Sequence, residues 1–360
     1  MKKIDYIDAL RGVAILGVLM VHTNQYGTAV VNAIIAKIIV GGASGVQLFY
    51  LASAFTLLLS FKNRASKEKF TIRNFFIRRF FRIAPMYYLG ILYYIFQDGL
   101  GPRYHLGNST HITFLNILSN FIFLHGFNPY WITSLVPGGW SIAVEMTFYA
   151  ILPFLISKIS NIQSAFIFFI TTLLLRLLLH FLLMNVHLNN DDRLWEQYLF
   201  YYFPNQLPIF SLGIILYFII IEKESIKNIS KIPILVFFIL LFARFLSDFE
   251  FILPNHILFS IGFLFLGLFL SRYRFVLIVN PIIKYIGKIS FSMYLVHFAI
   301  LHYLLVFNLV DFFENNLINF ITRFCIVISL SVIVSSIFYN IVEVPFQNFG
   351  KKIIIKLNNR

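Results

Sequence analysis

Tyr6-Ile7-Asp8-Ala9-Leu10-Arg11-Gly12-Val13-Ala14-Ile15-Leu16-Gly17-Val18-Leu19-Met20-Val21-His22-Thr23 is the stretch on which the fold turns. Between residues 9 and 21 it is apolar or glycine everywhere except Arg11. It continues into a polytopic pattern of helices about 20 residues long and apolar all round, which belong in hydrocarbon, rather than ending as a cleavable leader. Arg11 and His22 in this span stand eleven positions apart. At 3.6 residues per turn that is three turns plus about 20°, so both lie on one helix face, separated by roughly 16 Å of rise. One end of that face can grip an anion while the other performs proton chemistry. The competing readings are an arginine snorkelling to headgroups and a histidine donating between helices.

The rest of the chain agrees with the first run. Of its 360 residues 59% are hydrophobic and 12% charged, against roughly 45–50% and 25% in globular domains. The fold class expected is all-α, a polytopic transmembrane bundle of about ten spans plus one short re-entrant or interfacial helix. The candidate spans are 6–23, 41–61, 84–97, 140–157, 164–184, 205–221, 232–248, 256–271, 289–308 and 318–341, and 113–126 is the short helix. Residues 1–345 then form one transmembrane domain and 346–360 a basic cytoplasmic tail. Cys325 is the single cysteine and says nothing about redox compartment.

The net charge of +14 is mostly a topology signal. With ten spans and both termini cytoplasmic, the inner segments hold Lys2, Lys3, Lys62, Arg64, Lys67, Lys69, Arg73, Arg78, Arg79, Arg82 and Lys158. Farther along they hold Lys223, Lys227, Lys231, Arg272, Arg274, Lys284, Lys288, Lys351, Lys352, Lys356 and Arg360. The outer loops keep only Lys37, Arg103 and Arg193, as the positive-inside rule requires. Nucleic acid is therefore not an expected partner, and the bilayer is. No internal repeat is visible, which weakens a transporter reading.

Ionisable groups inside spans are costly and so mark function. Arg79 and Arg82, at i and i+3 before the third span, can hold phosphates bidentately or simply anchor the helix at the inner surface. Glu145 follows Trp140-Ser141 by about one turn, at a depth similar to that of His22. A carboxylate there would orient an imidazole and raise its basicity, or serve a proton path. Ser290, Tyr294 and His297 form one polar stripe on a late span. Arg176 and His180 have no assigned role, and Arg244 and Asp248 are spaced to neutralise each other.

These motifs resemble those of the acyltransferase-3 family of bacterial membrane proteins. The resemblance rests on Asp8-Ala9-Leu10-Arg11-Gly12 through His22, on Gln47 through Phe55, on Arg79-Phe80-Phe81-Arg82 and on Trp140-Ser141 through Glu145. Ser290 through His297 and Ile341-Val342-Glu343-Val344-Pro345 complete it, in family order over nearly the whole chain. The second motif departs at Tyr50 and at Ala54, where the family usually has glycine for close helix approach.

The resemblance implies transfer of an acyl group, usually acetyl, from cytoplasmic acyl-CoA to a hydroxyl of a cell-surface or lipid-linked glycan. It implies a stand-alone member in the bacterial inner membrane, without a fused extracytoplasmic hydrolase-like domain. Arg11, Arg79 and Arg82 are then expected to hold acetyl-CoA or another acyl-CoA, and His22 to be essential. His22 oriented by Glu145 is the expected general base, with a covalent acyl-enzyme on His22 or Tyr294 as the alternative. Trp140, Ser290, Tyr294 and His297 are expected along the sugar path, and no metal is expected. The alternative is a proton-coupled secondary transporter or glycan flippase using Glu145 and His22. The acceptor sugar and the oligomeric state are not readable.

Overall fold

The computed structural model describes residues 4–30, 32–103, 111–184, 186, 191–222, 232–246, 253–273 and 275–359. Lys2, Lys3, Lys223, Lys227, Lys231, Asp248, Arg274 and Arg360 lie outside the described residues, as does the side chain of Arg244, so the Arg244–Asp248 pairing is not described. Among the described residues every element is helical. That is the solution open to a backbone in hydrocarbon, which offers no hydrogen-bond partners of its own.

In chain order the helices are α1 (Asp5–Gln25), α2 (Ala33–Gly41), α3 (Gly45–Ala65), α4 (Thr71–Asp98) and α5 (Phe114–Phe121). Next come α6 (Gly139–Lys158), α7 (Ile162–Leu183), α8 (Asp192–Tyr201), α9 (Phe203–Tyr217) and α10 (Ile232–Leu246). The last five are α11 (Asn255–Arg272), α12 (Pro281–Lys288), α13 (Ser290–Val306), α14 (Asn316–Phe338) and α15 (Val344–Asn358). Asn32, Asn161, Asn280 and Asn315 start four of them by accepting hydrogen bonds from otherwise unpaired first-turn N–H groups.

Among the described residues seven helical stretches are long and apolar enough to cross a bilayer, and the pair α12 and α13, bent by 78°, makes an eighth if counted as one span. The chain is thus a multi-pass helical membrane protein, but the expected ten spans are met only in part. The three that fall short have physical reasons. Residues 84–97 lie on α4, whose first half carries Arg73, Arg78, Arg79 and Arg82. The apolar part of α10 is only Ile232–Phe242, and α13 follows the bend after α12.

The stretch 113–126, expected as the short re-entrant or interfacial helix, contains an eight-residue helix, α5. Its rise of about 12 Å is well short of the ~30 Å hydrocarbon thickness. Its polar residues Asn116, Asn120 and His125 are buried and bonded. Tyr87 donates to Asn120 Oδ1 at 3.0 Å, His125 Nε2 lies 3.0 Å from the Gly139 carbonyl, and Ser134 donates to Asn116 Oδ1 at 2.8 Å.

The chain forms two compact units, residues 1–56 with 212–339 and residues 57–211 with 340–360. In the second unit the residues of the expected tail are helical to Asn358 and docked on α4. Phe349 meets Phe81 edge-on at 5.5 Å, Gly350 lies against the Phe81 ring, and Arg73 donates to Asn358 at 2.6 Å.

In the first unit α1 is the central element, and small residues set how closely its neighbours approach. A Cβ on Gly12 would stand 2.2 Å from the Ile283 carbonyl oxygen, and one on Gly287 would stand 1.8 Å from that of Asp8. Glycine on both helices therefore lets α12 lie backbone-to-backbone on α1. Farther along, a Cβ on Gly45 would stand 2.2 Å from the Ala14 carbonyl oxygen, and one on Gly42 2.4 Å from that of Gly17. The alanine at 54 is also explained. Gly213 faces it, with a hypothetical Cβ 2.7 Å from Ala54 Cβ and 2.4 Å from the Leu51 carbonyl, so the small residue needed there is supplied by α9.

Gly287→Ala should lower the thermal midpoint of the detergent-solubilised protein, by an overpacking cost of about 1–3 kcal/mol or more. Gly101→Ala, where nothing lies within 4 Å of the new Cβ, is the control and should leave it unchanged. Equal midpoints for the two variants would contradict this account of α1 and α12.

Candidate active site

The 78° bend after α12 turns the chain into α13, and α13 carries the polar stripe to the C-terminal end of α1. Ser290, Tyr294 and His297 are all buried there. The His22 and His297 rings lie 5.4 Å apart, and Phe298 packs against both, at 4.5 and 4.0 Å. Tyr294 lies 5.9 Å from His297 and meets Phe49 edge-on at 6.5 Å. The first unit thus joins four of the expected site residues, Ser290, Tyr294, His297 and His22, on two facing helices.

The protonation of the two imidazoles follows from their partners. His22 Nδ1 lies 2.8 Å from Gln25 Oε1. An amide oxygen only accepts, so Nδ1 carries the proton and Nε2 keeps its lone pair. His297 Nδ1 lies 3.1 Å from the Met293 carbonyl, which fixes the same tautomer. Its Nε2 is buried without a hydrogen-bond partner. Gln25 was not singled out in the sequence, although its i+3 spacing from His22 was available as the signal.

The end of α1 is held from α14. Arg323 is fully buried and donates from Nε to the Thr23 carbonyl at 3.0 Å, from one terminal nitrogen to Val310 and Asp311, and from the other to Thr28. It therefore satisfies a carbonyl in the last turn of α1, immediately after His22. Gly27, at φ +77°, makes the return turn, and a Cβ there would meet the guanidinium at 2.4 Å. Asp311 closes the arrangement by accepting from the Thr28 N–H and hydroxyl. Arg323 is an intramembrane arginine, and the rule that flagged Arg176 would have found it too.

At the other end of α1, Arg11 donates to Thr56 Oγ1 at 2.8 Å and stands 3.8 Å from Asp8. Its guanidinium is tied to α3 on one side, so it is positioned rather than loose on the helix surface.

The remaining expected residues belong to the second unit. Arg78 is occupied by Glu68, which also bonds Arg64 and Asn74. Burial raises the Glu68 pKa, but these donors outweigh it and hold the carboxyl below its ordinary value. Arg79 lies over the rings of Phe75 and Tyr149, at 5.9 and 6.0 Å. Arg82, half-buried one turn on, makes no hydrogen bond or ion pair among the described residues. Glu145 accepts from the Tyr149 hydroxyl at 2.5 Å, so Tyr149 bridges the carboxylate and Arg79. Trp140 is buried and stacked on Tyr201 at 4.3 Å. Among the described residues no three His, Cys, Asp or Glu side chains gather as a metal site.

Residues 4–340 match the sequence model of the acyltransferase domain called acyltransferase-3. The chain belongs to the acyltransferase-3 family. Relatives of this member include two Staphylococcus aureus proteins, from strains COL and MSSA476, each bearing the name putative O-acetyltransferase. Each is 24% identical over 394 aligned residues, covering 98% of the chain and 59% of the relative. The chain therefore spans somewhat under two thirds of their length. No solved structure matches it.

Asp311 gives a pH prediction. Burial tends to raise its carboxyl, but the Thr28 and Arg323 donors hold it below the ordinary carboxylate value. A depressed folded pKa stabilises above the unfolded value, about 3.9, and that stabilisation is lost as pH falls through the folded one. Asp311→Asn should therefore melt below the wild type near about pH 7, with the gap closing below about pH 4. A gap unchanged at acid pH would contradict it.

Proposed function

We propose that this protein is a membrane O-acyltransferase moving an acyl group, acetyl in the simplest case, from cytoplasmic acyl-CoA to a hydroxyl of a cell-surface or lipid-linked glycan. The observation that carries the proposal is the His22 imidazole, half-buried and packed on His297 and Phe298 with Nδ1 bonded to Gln25, in a chain whose family transfers acyl groups. The names of the S. aureus relatives support oxygen as the acceptor atom.

In this reading Nε2 of His22 takes the proton of the acceptor hydroxyl as its oxygen attacks the thioester carbonyl. When the tetrahedral intermediate collapses, the carbon–sulfur bond breaks and the proton passes to the leaving thiolate, giving the ester and free CoA. We assign the orientation of His22, expected of Glu145, to Gln25. Glu145, linked through Tyr149 to Arg79, is assigned to the donor side. Arg11, Arg79 and Arg82 are the donor ligands, with Arg78 excluded because Glu68 occupies it. Guanidinium groups suit the CoA phosphates, which they can meet bidentately. Ten spans with both termini cytoplasmic are part of the proposal, supported by the distribution of lysine and arginine.

The test is purified protein with radiolabelled acetyl-CoA and an extract of envelope glycans. Wild type should label the glycan, while His22→Ala, inserted and monodisperse, should lose at least about a thousandfold in rate, the loss of its base. Retained labelling by His22→Ala would end the base assignment. Glycan translocation without label would favour a transporter.

A further inference from the structure

Arg176 is an intramembrane charge that the mechanism does not use. It lies on α7, seven residues before the end of the helix, with 8% of its surface exposed. The neighbouring faces of α7 present Phe166, Ile167, Ile170, Leu174 and Leu178 outward, as a lipid-facing helix does. A guanidinium at such a position is costly without a counter-charge. Among the described residues Arg176 has no carboxylate partner, and its one hydrogen bond runs from Nε to Asn205 Oδ1 at 2.9 Å.

That bond is pre-set. Asn205 Nδ2 and Gln206 Nε2 both donate to the Phe200 carbonyl, at 2.7 Å each. The Asn205 amide is thereby turned so that its oxygen meets Nε, and the two terminal nitrogens of Arg176 remain as a fork of donors. Tyr202 lies within electrostatic reach of the guanidinium and is 5% exposed, and its hydroxyl is buried with no hydrogen-bond partner. His180, one turn along α7, is also within reach of the Arg176 charge. An unpaired fork beside an orphaned phenol is a site prepared for a ligand with several acceptor oxygens and negative charge.

We propose that Arg176 and Tyr202 form a binding site for the phosphoryl group of an amphipathic substrate, held from the outer leaflet. In the ten-span topology α7 runs outward and Arg176 lies about 10 Å from its outer end, within reach of a phosphate whose hydrocarbon tail stays in the bilayer. Resting on the acyl-transfer reading, the substrate so held is the acceptor, which makes it lipid-linked rather than free glycan. The orphaned Tyr202 hydroxyl is the signature of function over stability. Unliganded, it bears a desolvation cost that phenylalanine would avoid.

Binding can be measured without turnover, so failure here and failure of the acyl-transfer reading are separate events. Protein in dodecyl maltoside, which carries no phosphate, is titrated with dodecyl phosphate, dodecanol, dodecylphosphocholine and inorganic phosphate, followed by calorimetry and thermal midpoint. Dodecyl phosphate should bind the wild type saturably and raise its midpoint, and dodecanol should not. Arg176→Gln should weaken dodecyl phosphate at least tenfold, and Arg176→Lys, which keeps the charge, less. Tyr202→Phe should weaken it severalfold while its unliganded midpoint stays level or rises, so the test survives an unstable Arg176→Gln. Inorganic phosphate binding as tightly as dodecyl phosphate would assign the phosphoryl group to a water-borne ligand and overturn the amphipathic one. Preferential binding of dodecylphosphocholine would make the site one for bilayer headgroups, against an acceptor. Equal binding of dodecyl phosphate by wild type and the Arg176 and Tyr202 variants, or of dodecanol by the wild type, would overturn the site altogether.

Discussion

The backbone-to-backbone seating of α12 on α1 is the constraint from which the histidine site of the first unit follows. With glycine at 12 and at 287 the two helices touch through carbonyl oxygens, closer than any side chain permits. Van der Waals contact between close-packed helices is the main attraction available where lipid tails are as apolar as the helices. Lys284 adds an ion pair to Asp5 at 2.6 Å near the same end. Because α12 is fixed there, the 78° bend launches α13 along α1 and brings His297 to within 5.4 Å of His22. Loosening the glycine contact would move the start of α13 and hence the imidazole pair.

The polar groups of this unit divide by what satisfies them. Arg323 has its donors filled by backbone carbonyls and Asp311, so it holds the end of α1 and is available for nothing else. Arg11 is tied to Thr56 and Asp8. His22 and His297 each use Nδ1 locally and leave Nε2 without such a commitment. In the second unit the same accounting separates Arg78, filled by Glu68, from Arg82, and sets Arg176 beside the unpartnered Tyr202 hydroxyl. Since burying a polar group without a partner is unfavourable, these unfilled atoms are the places where chemistry or binding is to be sought.

Much of this was legible in the sequence. Long apolar runs gave the helical membrane class, and helical periodicity alone put Arg11 and His22 on one face and Ser290, Tyr294 and His297 on another. The span count was less legible, because apolar length does not distinguish a crossing helix from α10 or from the bent pair α12 and α13. Gln25, Arg323 and Tyr149 escaped notice for different reasons. Gln25 and Tyr149 are ordinary residues whose roles depend on a neighbour three or four positions away. Arg323 acts on carbonyls some 300 residues distant in sequence, Thr23 among them, which no local pattern encodes. The compensation of Ala54 by Gly213 is equally non-local.

The central claim is that His22 is a base whose Nε2 is freed by the Nδ1–Gln25 bond, and the pH dependence of kcat/KM in Gln25→Glu tests it most directly. A carboxylate accepting from Nδ1 stabilises the imidazolium, so the acid limb of the profile should move up by about one pH unit relative to the wild type. An acid limb that superimposes on that of the wild type would contradict the account.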